Sequence, residues 1–248
     1  MSKQGWMRSR PSLATESADG GDGRPAVVQF RDGSTSLSMN WLNHLSDGLL
    51  PSSCVLCGDL VSSQEGPVCG PCSALVGTQL VHFAAPPSIV KGVALGPYQG
   101  ILGQLIREAK YNKNLQLVDQ LGLWLGQSIS SWVDVDLVVP ISIPMLRRVV
   151  RGFDQGHRIG LGVAAETGIV CSDHLKRRWG QRQVGKSGAE RRKLPISTFS
   201  VRGTLDGERI LLVDDVVTTG ATIDAAARVL KRCGASHIWV AAVAHQGS

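Results

Sequence analysis

The C-terminal part of the chain alternates between apolar runs and one amphipathic stretch. Residues 209–213 and 237–244 are apolar after their first residues, Arg209 and His237. Residues 221–233 between them have helical spacing and are followed by Gly234, a typical helix terminator. Strands that are apolar on both faces are typical of parallel sheets covered by helices on each side. The pattern therefore predicts a strand–helix–strand unit and an α/β fold class.

Upstream segments with the same periodicities extend this prediction. Apolar runs predict strands over 90–95, 137–140 and 199–203. Apolar residues at helical spacing predict helices over 100–111, 115–132 and 158–166, and Gly168 is placed to end the last of these.

The N-terminal region has a different character. Residues 1–38 are rich in Ser, Gly, Asp and Arg without periodicity, which predicts a disordered extension. A short amphipathic helix is predicted around Trp41–Leu49, so we suspect that Met39 rather than Met1 is the true start. The predicted organisation is an extension over 1–38, a helix and cysteine segment over 39–80, and an α/β domain over 86–248.

Composition and charge exclude some classes of protein. The chain has 248 residues, 43% of them hydrophobic. It contains neither a run of about 18 apolar residues nor a signal-peptide core, which predicts a cytoplasmic protein without membrane insertion. The formal net charge is +6, and the segment from Lys176 to Lys193 carries eight basic residues against one acid, Glu190. Such a patch indicates a polyanionic partner, unless it is only a solvated loop.

Four of the six cysteines are clustered as two C-x-x-C pairs separated by eleven residues. Each pair can present two thiolates on one turn, and two such turns close a tetrahedral zinc site without an open position for catalysis. Two disulfides would need an oxidising compartment, and a redox C-x-x-C usually stands alone. We therefore predict a structural zinc on these residues, with Cys171 and Cys233 as buried thiols and His82 as a surface or packing residue instead of a ligand. The predicted ligands are Cys54, Cys57, Cys69 and Cys72.

The segment 211–222, LLVDDVVTTGAT, has the richest chemistry. Asp214 and Asp215 follow an apolar strand, where α/β sheets bind ligands and carboxylates can accept hydrogen bonds from ribose hydroxyls. The Thr-Thr-Gly-Ala-Thr that follows supplies hydroxyls and free N–H groups at a helix N-terminus, which suits a phosphate. The segment predicts a ribose 5-phosphate site. The alternative is a strand end followed by a helix capped by Thr219.

At this point the residues resemble a known family. Residues 211–222 are similar to the phosphoribosyl pyrophosphate signature of type I phosphoribosyltransferases. Together with the four cysteines, the segment Arg151-Gly-Phe-Asp-Gln155 and the Lys110-Tyr111 pair, they resemble the ComF/GntX family. Members are associated with DNA uptake during natural competence or with gluconate utilisation. The resemblance implies a type I phosphoribosyltransferase fold, a Rossmann-like parallel sheet, preceded by a zinc knuckle.

The resemblance also implies roles for single residues. Asp214 and Asp215 would hold the ribose hydroxyls, with Mg²⁺ bound beside them. The 5-phosphate would lie on the loop and helix start, the pyrophosphate would face the loop after the strand at 137–140, and Arg151 and the basic stretch 176–193 would close over the site. Beyond the two aspartates, the implied ligand-binding residues are Thr218, Thr219, Gly220, Ala221, Thr222, Pro140, Ile141, Ser142, Arg151 and Lys110.

The chain departs from the family pattern at three positions. Asp154 stands where the family usually has Asn, which replaces amide donors by an acceptor-only carboxylate. Gln183 and Arg191 match the family's basic linker, but Gly180 and Leu194 replace its usual Thr and Asn. These changes leave the phosphate segment intact and affect the acceptor side or the closing loop.

Three functions are compatible with these features. The first is a Mg²⁺-dependent phosphoribosyltransferase with an unidentified acceptor, and the second is a sensor that binds phosphoribosyl pyrophosphate or a nucleotide without turnover. The third is an accessory protein that binds single-stranded DNA or DNA-uptake proteins, although only Trp179 lies within the basic run and strand binding usually needs several aromatic residues. Type I relatives often pair, so a homodimer is also an expectation.

Overall fold

The computed structural model describes residues 27–28, 52–62, 65–77, 79–130, 134–143, 148–149, 152–178 and 194–247. The predicted helix around Trp41, Arg151 and most of the basic stretch, 179–193, lie outside the described residues. Among those described, no helix combines the length and the apolar character needed to cross a membrane.

The elements in the first half of the chain surround the cysteines and lead into the main domain. They are β1 (Val27–Val28), β2 (Ser52–Ser53), β3 (Leu60–Val61), α1 (Gly70–Ala74), β4 (Val81–Phe83), β5 (Lys91–Pro97), α2 (Gly100–Tyr111) and α3 (Leu115–Ile129). The prediction of two consecutive helices from residue 100 is confirmed, with α3 ending at Ile129.

The second half contains the predicted alternation of strands and helices. Its elements are β6 (Leu137–Pro140), α4 (Gln155–Thr167), β7 (Cys171–Ser172), β8 (Leu175–Arg177), a 3₁₀ turn (Ile196–Thr198), β9 (Phe199–Val201), β10 (Arg209–Val217), α5 (Ala221–Arg232) and β11 (His237–His245). Strand β8 pairs with β9 in a separate hairpin.

A seven-stranded mixed sheet forms the centre of the fold, in the order β1-β7-β6-β10-β11-β5-β4. The inner strands β7, β6, β10, β11 and β5 run parallel to one another, whereas β1 and β4 are antiparallel edge strands. The parallel pairing of β10 with β11 confirms the predicted strand–helix–strand unit. Val27 and Val28, within the predicted extension, pair with β7.

Alternate residues of each inner strand enter two separate cores. Leu211 and Val213 pack with α2, α3 and α4 on one face, and Ile210 and Leu212 pack with α5 and the β8–β9 hairpin on the other. The buried cysteines belong to the first core, so the cysteine segment packs on the face of α2 and α3. This two-sided burial explains why the central residues of these strands, such as 210–213, are all apolar.

The prediction that a helix begins at Arg158 is wrong by three residues. Helix α4 begins at Gln155, because Asp154 is the N-cap and its Oδ1 accepts a hydrogen bond from His157 N at 3.2 Å. An acceptor is the group that an N-cap needs, so Asp suits this position. Gly168 ends the helix with φ +70°, as predicted.

Candidate functional site

Strand β10 continues through the two acids of the motif and ends at Val217, four residues beyond the predicted end. Asp214 and Asp215 therefore lie near the end of the strand, just before the loop, and both are half-buried. Lys110, in the last turn of α2, places its Nζ 2.7 Å from Asp215 Oδ2, and both side chains are less than one-fifth exposed. The fold thus brings Lys110 and the two aspartates together.

Asp214 is held in an environment that disfavours its charge. Burial raises the pKa of Asp214 well above its ordinary value, and the neighbouring Asp215 carboxylate acts in the same direction. The backbone N–H of Asp215, which donates to Asp214 Oδ1 at 2.9 Å, and the cations Lys110 and Arg177 oppose this shift. The Asp214 carboxyl therefore favours its neutral, protonated form more than an exposed aspartate does.

The loop after β10 turns directly into α5 without a side-chain cap. Gly220 is the N-cap in a left-handed conformation, φ +74°, and no side chain bonds the first N–H groups of the helix. The alternative that Thr219 caps this helix is therefore wrong. Thr218 and Thr219 are exposed, and Ala221 and Thr222 form the first turn. The arrangement leaves unpaired donors and the positive end of the helix dipole beside the two aspartates.

One acid in the first turn of α5 is neutralised within the protein. Asp224 accepts hydrogen bonds from Ser88 Oγ and from Arg228 Nε, each at 3.0 Å. The same Arg228 donates to the Leu194 carbonyl at 3.0 Å. The Asp224 carboxylate is thus turned into a local network instead of adding charge to the loop.

The loop after β6 is hydrogen-bonded to β10 just before the two aspartates. Ile141 N donates to Val213 O at 2.8 Å, which ties this loop to β10 immediately before Asp214. Pro140 and Ile141 are buried, and only Ser142 is half-open. The Ile141 carbonyl lies so close to Gly156 that a Cβ there would be 2.2 Å away, so α4 begins tightly against the loop.

A cavity of about 230 Å³ opens between this loop and the β8–β9 hairpin. Its charged walls are Arg148, Asp154, Asp173, Lys176 and Arg177. Lys176 and Arg177, two described residues of the basic stretch, thus line this cavity together with His157.

Two buried polar residues were not recognised from the sequence as unusual. Gln155 is completely buried, and its Oε1 and Nε2 have no hydrogen-bond partner among the described residues. His174 is also buried, and its Nδ1 is hydrogen-bonded to the Ser172 hydroxyl. The sequence places Gln155 directly after a possible helix N-cap, but this position does not show that the side chain is buried.

The four clustered cysteines converge as predicted. Their sulfur atoms all lie within 4.8 Å of one another, and those of Cys57 and Cys69 are 3.7 Å apart. A tetrahedral site with Zn–S bonds of about 2.3 Å has sulfur–sulfur edges of about 3.8 Å. Burial opposes ionisation of Cys54, but backbone N–H groups outweigh it and lower its pKa to about 6. The group can hold a metal ion. Cys171 is buried as predicted, whereas Cys233 is only half-buried.

Comparison with known proteins agrees with this geometry. The family model described as "Phosphoribosyl transferase domain" matches residues 110–248. The chain is 26% identical over 145 residues to "Competence protein ComFC" of Streptococcus pneumoniae, covering 58% of this chain and 64% of that protein. It is 24% identical over 193 residues to "Competence protein F" of Haemophilus influenzae, covering 70% and 82%. It is also 27% identical over 164 residues to "Amidophosphoribosyltransferase" of Pyrococcus horikoshii, covering 65% and 29%.

Proposed function

The chain belongs to the phosphoribosyl transferase domain family, and from that premise we propose that it binds phosphoribosyl pyrophosphate with Mg²⁺ at the carboxyl edge of β10. Asp214 and Asp215 hold the ribose hydroxyls. The 5-phosphate lies on the loop and first turn formed by residues 218–222. The pyrophosphate faces Pro140, Ile141 and Ser142, and Arg151, which lies outside the described residues, is the cation that the sequence offers for it.

One observation carries this proposal. Two adjacent carboxylates, the Lys110 ammonium and an uncapped helix N-terminus share one edge of the sheet. A sugar phosphate needs hydrogen-bond acceptors for its hydroxyls and donors for its phosphate. Here the two carboxylates come before Val217 in the chain, and the free N–H groups of the helix N-terminus come after it. A strand end that served only the fold would not need two acids in an environment that raises the pKa of one of them.

The residues present fit a magnesium ion. Carboxylate oxygens are the donors that Mg²⁺ takes from proteins when substrate phosphates supply the rest. When bound, the ion would neutralise the leaving pyrophosphate. The chain's own residues orient the sugar: Lys110 neutralises Asp215, the helix N-terminus fixes the 5-phosphate, and the loop tied to Val213 positions the pyrophosphate.

The activity that follows is phosphoribosyl transfer. A nitrogen nucleophile forms a bond to C1 of the ribose, the C1–oxygen bond to pyrophosphate breaks, and the nucleophile loses a proton. Little covalent chemistry is asked of the protein, which agrees with a site made of positioning groups. A sensor that binds the same ligand without turnover is the alternative.

The cysteine group supplies structure in this proposal. Zinc held by Cys54, Cys57, Cys69 and Cys72 would have no open position, so it fixes the segment against α2 and α3 and takes no part in transfer.

The relatives named for competence support a role in DNA uptake for this chain. A second candidate function, contact with single-stranded DNA, is favoured by those names and by the basic run at 176–193. The homodimer and the cytoplasmic location stay predictions.

A pyrophosphate-release assay tests the proposal. The zinc-loaded protein is incubated with phosphoribosyl pyrophosphate, Mg²⁺ and single nucleobases or amines, and its melting temperature with the ligand is measured in parallel. A ligand-dependent rise in melting temperature together with acceptor-dependent pyrophosphate supports transfer. The rise without pyrophosphate supports the sensor, and no rise contradicts ligand binding. Binding of an oligonucleotide that weakens steeply with salt would favour the DNA candidate.

A further inference from the structure

The four cysteines that can hold a zinc ion differ in their exposure to solvent. Cys54, Cys69 and Cys72 are buried, whereas Cys57 is exposed. Beside it, a Cβ at Gly58 would meet no atom within 4 Å, so this side of the turn is open. A small solute therefore reaches the Cys57 sulfur more easily than the other three.

Backbone hydrogen bonds hold Cys57 at the tip of its turn. Cys54 N donates to Asp59 O at 2.7 Å, and Gly58 N donates to Cys54 O at 2.9 Å. Gly58 has φ +82°, a left-handed conformation that lets the chain reverse immediately after Cys57. The exposure of Cys57 thus follows from the backbone of the turn and not from the rotamer of one side chain.

A second sulfur lies within reach of Cys57. Cys69 Sγ is 3.7 Å from Cys57 Sγ, and a disulfide bond is about 2.05 Å long, so the two sulfurs need to approach by about 1.6 Å to be joined. The Cys54 sulfur, by contrast, accepts a hydrogen bond from Cys69 N at 3.4 Å. An exposed cysteine next to a second cysteine is the arrangement typical of thiols that are oxidised reversibly.

An acid also lies beside the Cys57 sulfur. Asp59 Oδ2 is 3.3 Å from Cys57 Sγ, and both side chains are exposed. A cysteine that coordinates a metal is a thiolate, so it has no proton to donate to this carboxylate. Two negative groups at this distance repel each other, which raises the energy of the Cys57 thiolate and favours its reaction with an electrophile.

We propose that Cys57 is a modification site for peroxides and that its oxidation, followed by disulfide formation with Cys69, opens the zinc group. The inference does not depend on the ligand of the site at β10. In the first step the Cys57 thiolate bonds to one oxygen of a hydroperoxide, the O–O bond breaks, and a sulfenic acid and an alkoxide (hydroxide, for hydrogen peroxide) are formed. In the second step the Cys69 thiolate bonds to the Cys57 sulfur and displaces hydroxide.

The oxidation leaves too few ligands for the metal. Over both steps two thiolates are oxidised to one disulfide, one hydroperoxide is reduced to an alcohol and water, and two protons come from solvent. Cys54 and Cys72 remain as the thiolates of the group, and two ligands do not close a tetrahedral site. The group therefore loses its metal, and the segment loses the cross-link that holds it against α2 and α3.

Zinc release on oxidation tests the proposal. The zinc-loaded protein is treated with hydrogen peroxide, and released zinc is followed with a chromogenic chelator. Cleavage after Glu65 separates the two C-x-x-C pairs, so mass spectrometry then detects a disulfide between them as a cross-linked peptide. We expect one zinc released per chain, a Cys57–Cys69 disulfide, and a melting temperature equal to that of the chelator-treated protein. A thiol reductant with added zinc should restore the original melting temperature.

Variants identify the reactive sulfur without removing a ligand. Asp59→Asn should slow zinc release about 5-fold, because the amide donates a hydrogen bond to the thiolate instead of repelling it. Asp206→Asn, at an exposed acid outside the group, and Cys233→Ser, at a cysteine outside the group, should release zinc at the wild-type rate.

The contrary outcomes are equally distinct. Retention of zinc in excess peroxide, a disulfide other than Cys57–Cys69, release from Asp59→Asn at the wild-type rate, or slower release from Cys233→Ser overturns the proposal. A protein that takes up no zinc overturns both the proposal and the structural zinc.

Discussion

Lys110 Nζ lies 2.7 Å from Asp215 Oδ2, with both side chains less than one-fifth exposed. The ion pair joins the end of α2 to the end of β10 and places a fixed cation beside two adjacent carboxylates. A pair with so little solvent contact costs desolvation energy, which favours a role at the site over a purely stabilising one.

Lys110→Met should destabilise the protein by about 2 kcal/mol. The substitution leaves the half-buried Asp215 carboxylate without its cation and next to a second acid, Asp214. Urea denaturation at pH 7 measures the change, and the exposed Arg232→Met is the control for loss of a positive charge. The double variant Lys110→Met/Asp215→Asn should recover most of the loss. Additive losses in the double variant would show that the pair does not interact.

Asp214→Asn should increase the free energy of unfolding at pH 7 by about 1 kcal/mol or more. The folded pKa of Asp214 lies above the ordinary value of 3.8, so ionisation in the folded state opposes folding as pH rises from 3.8 through the raised pKa. The gain should therefore vanish below pH 3.8, where both states are protonated. The matched control is Asp206→Asn at an exposed position. A gain of equal size at pH 3 and pH 7 would contradict the charge explanation.

Gln155→Met should stabilise the protein by about 1–2 kcal/mol, because the amide is buried without partners and methionine has similar length without polar atoms. Thermal unfolding measures this. The affinity for phosphoribosyl pyrophosphate is measured in parallel. If the Gln155 amide gains a hydrogen-bond partner when the ligand binds, the variant should bind the ligand more weakly although the free protein is more stable. A clear loss of stability in the free protein would show that Gln155 is bonded in solution.

Zinc removal should lower the melting temperature and leave the main sheet folded, because the cysteine group packs on α2 and α3 and not between the strands. Metal analysis should give one zinc per chain in the wild type and in Cys233→Ser, and much less in Cys57→Ser. Equal zinc content in all three proteins would place the metal elsewhere.

The sequence predicts the elements of the core well, because the inner strands are buried on both faces and α2, α3 and α5 have clear helical periodicity. The cysteine group was also predictable, since its spacing leaves few chemical alternatives. The start of α4 was harder to predict, because an Asp N-cap can be recognised only when the residues after it are known to be helical.

Relationships between distant segments could not be predicted. The motif placed Asp214 and Asp215 at a strand end, but nothing in the spacing of α2 showed that Lys110 would reach Asp215. The stack of Phe83 on His245 depends on antiparallel pairing of an edge strand and on a glycine opposite the ring. The burial of Gln155 is likewise a property of packing that a residue type does not reveal.

Isothermal titration of the zinc-loaded protein with phosphoribosyl pyrophosphate and Mg²⁺ tests the central claim most directly, beside Asp214→Ala/Asp215→Ala and the exposed control Asp206→Ala. The account predicts saturable binding by the wild type and the control, weakened at least ~100-fold in the double variant. A folded wild type that does not bind, or a double variant that binds as tightly as the wild type, would contradict it.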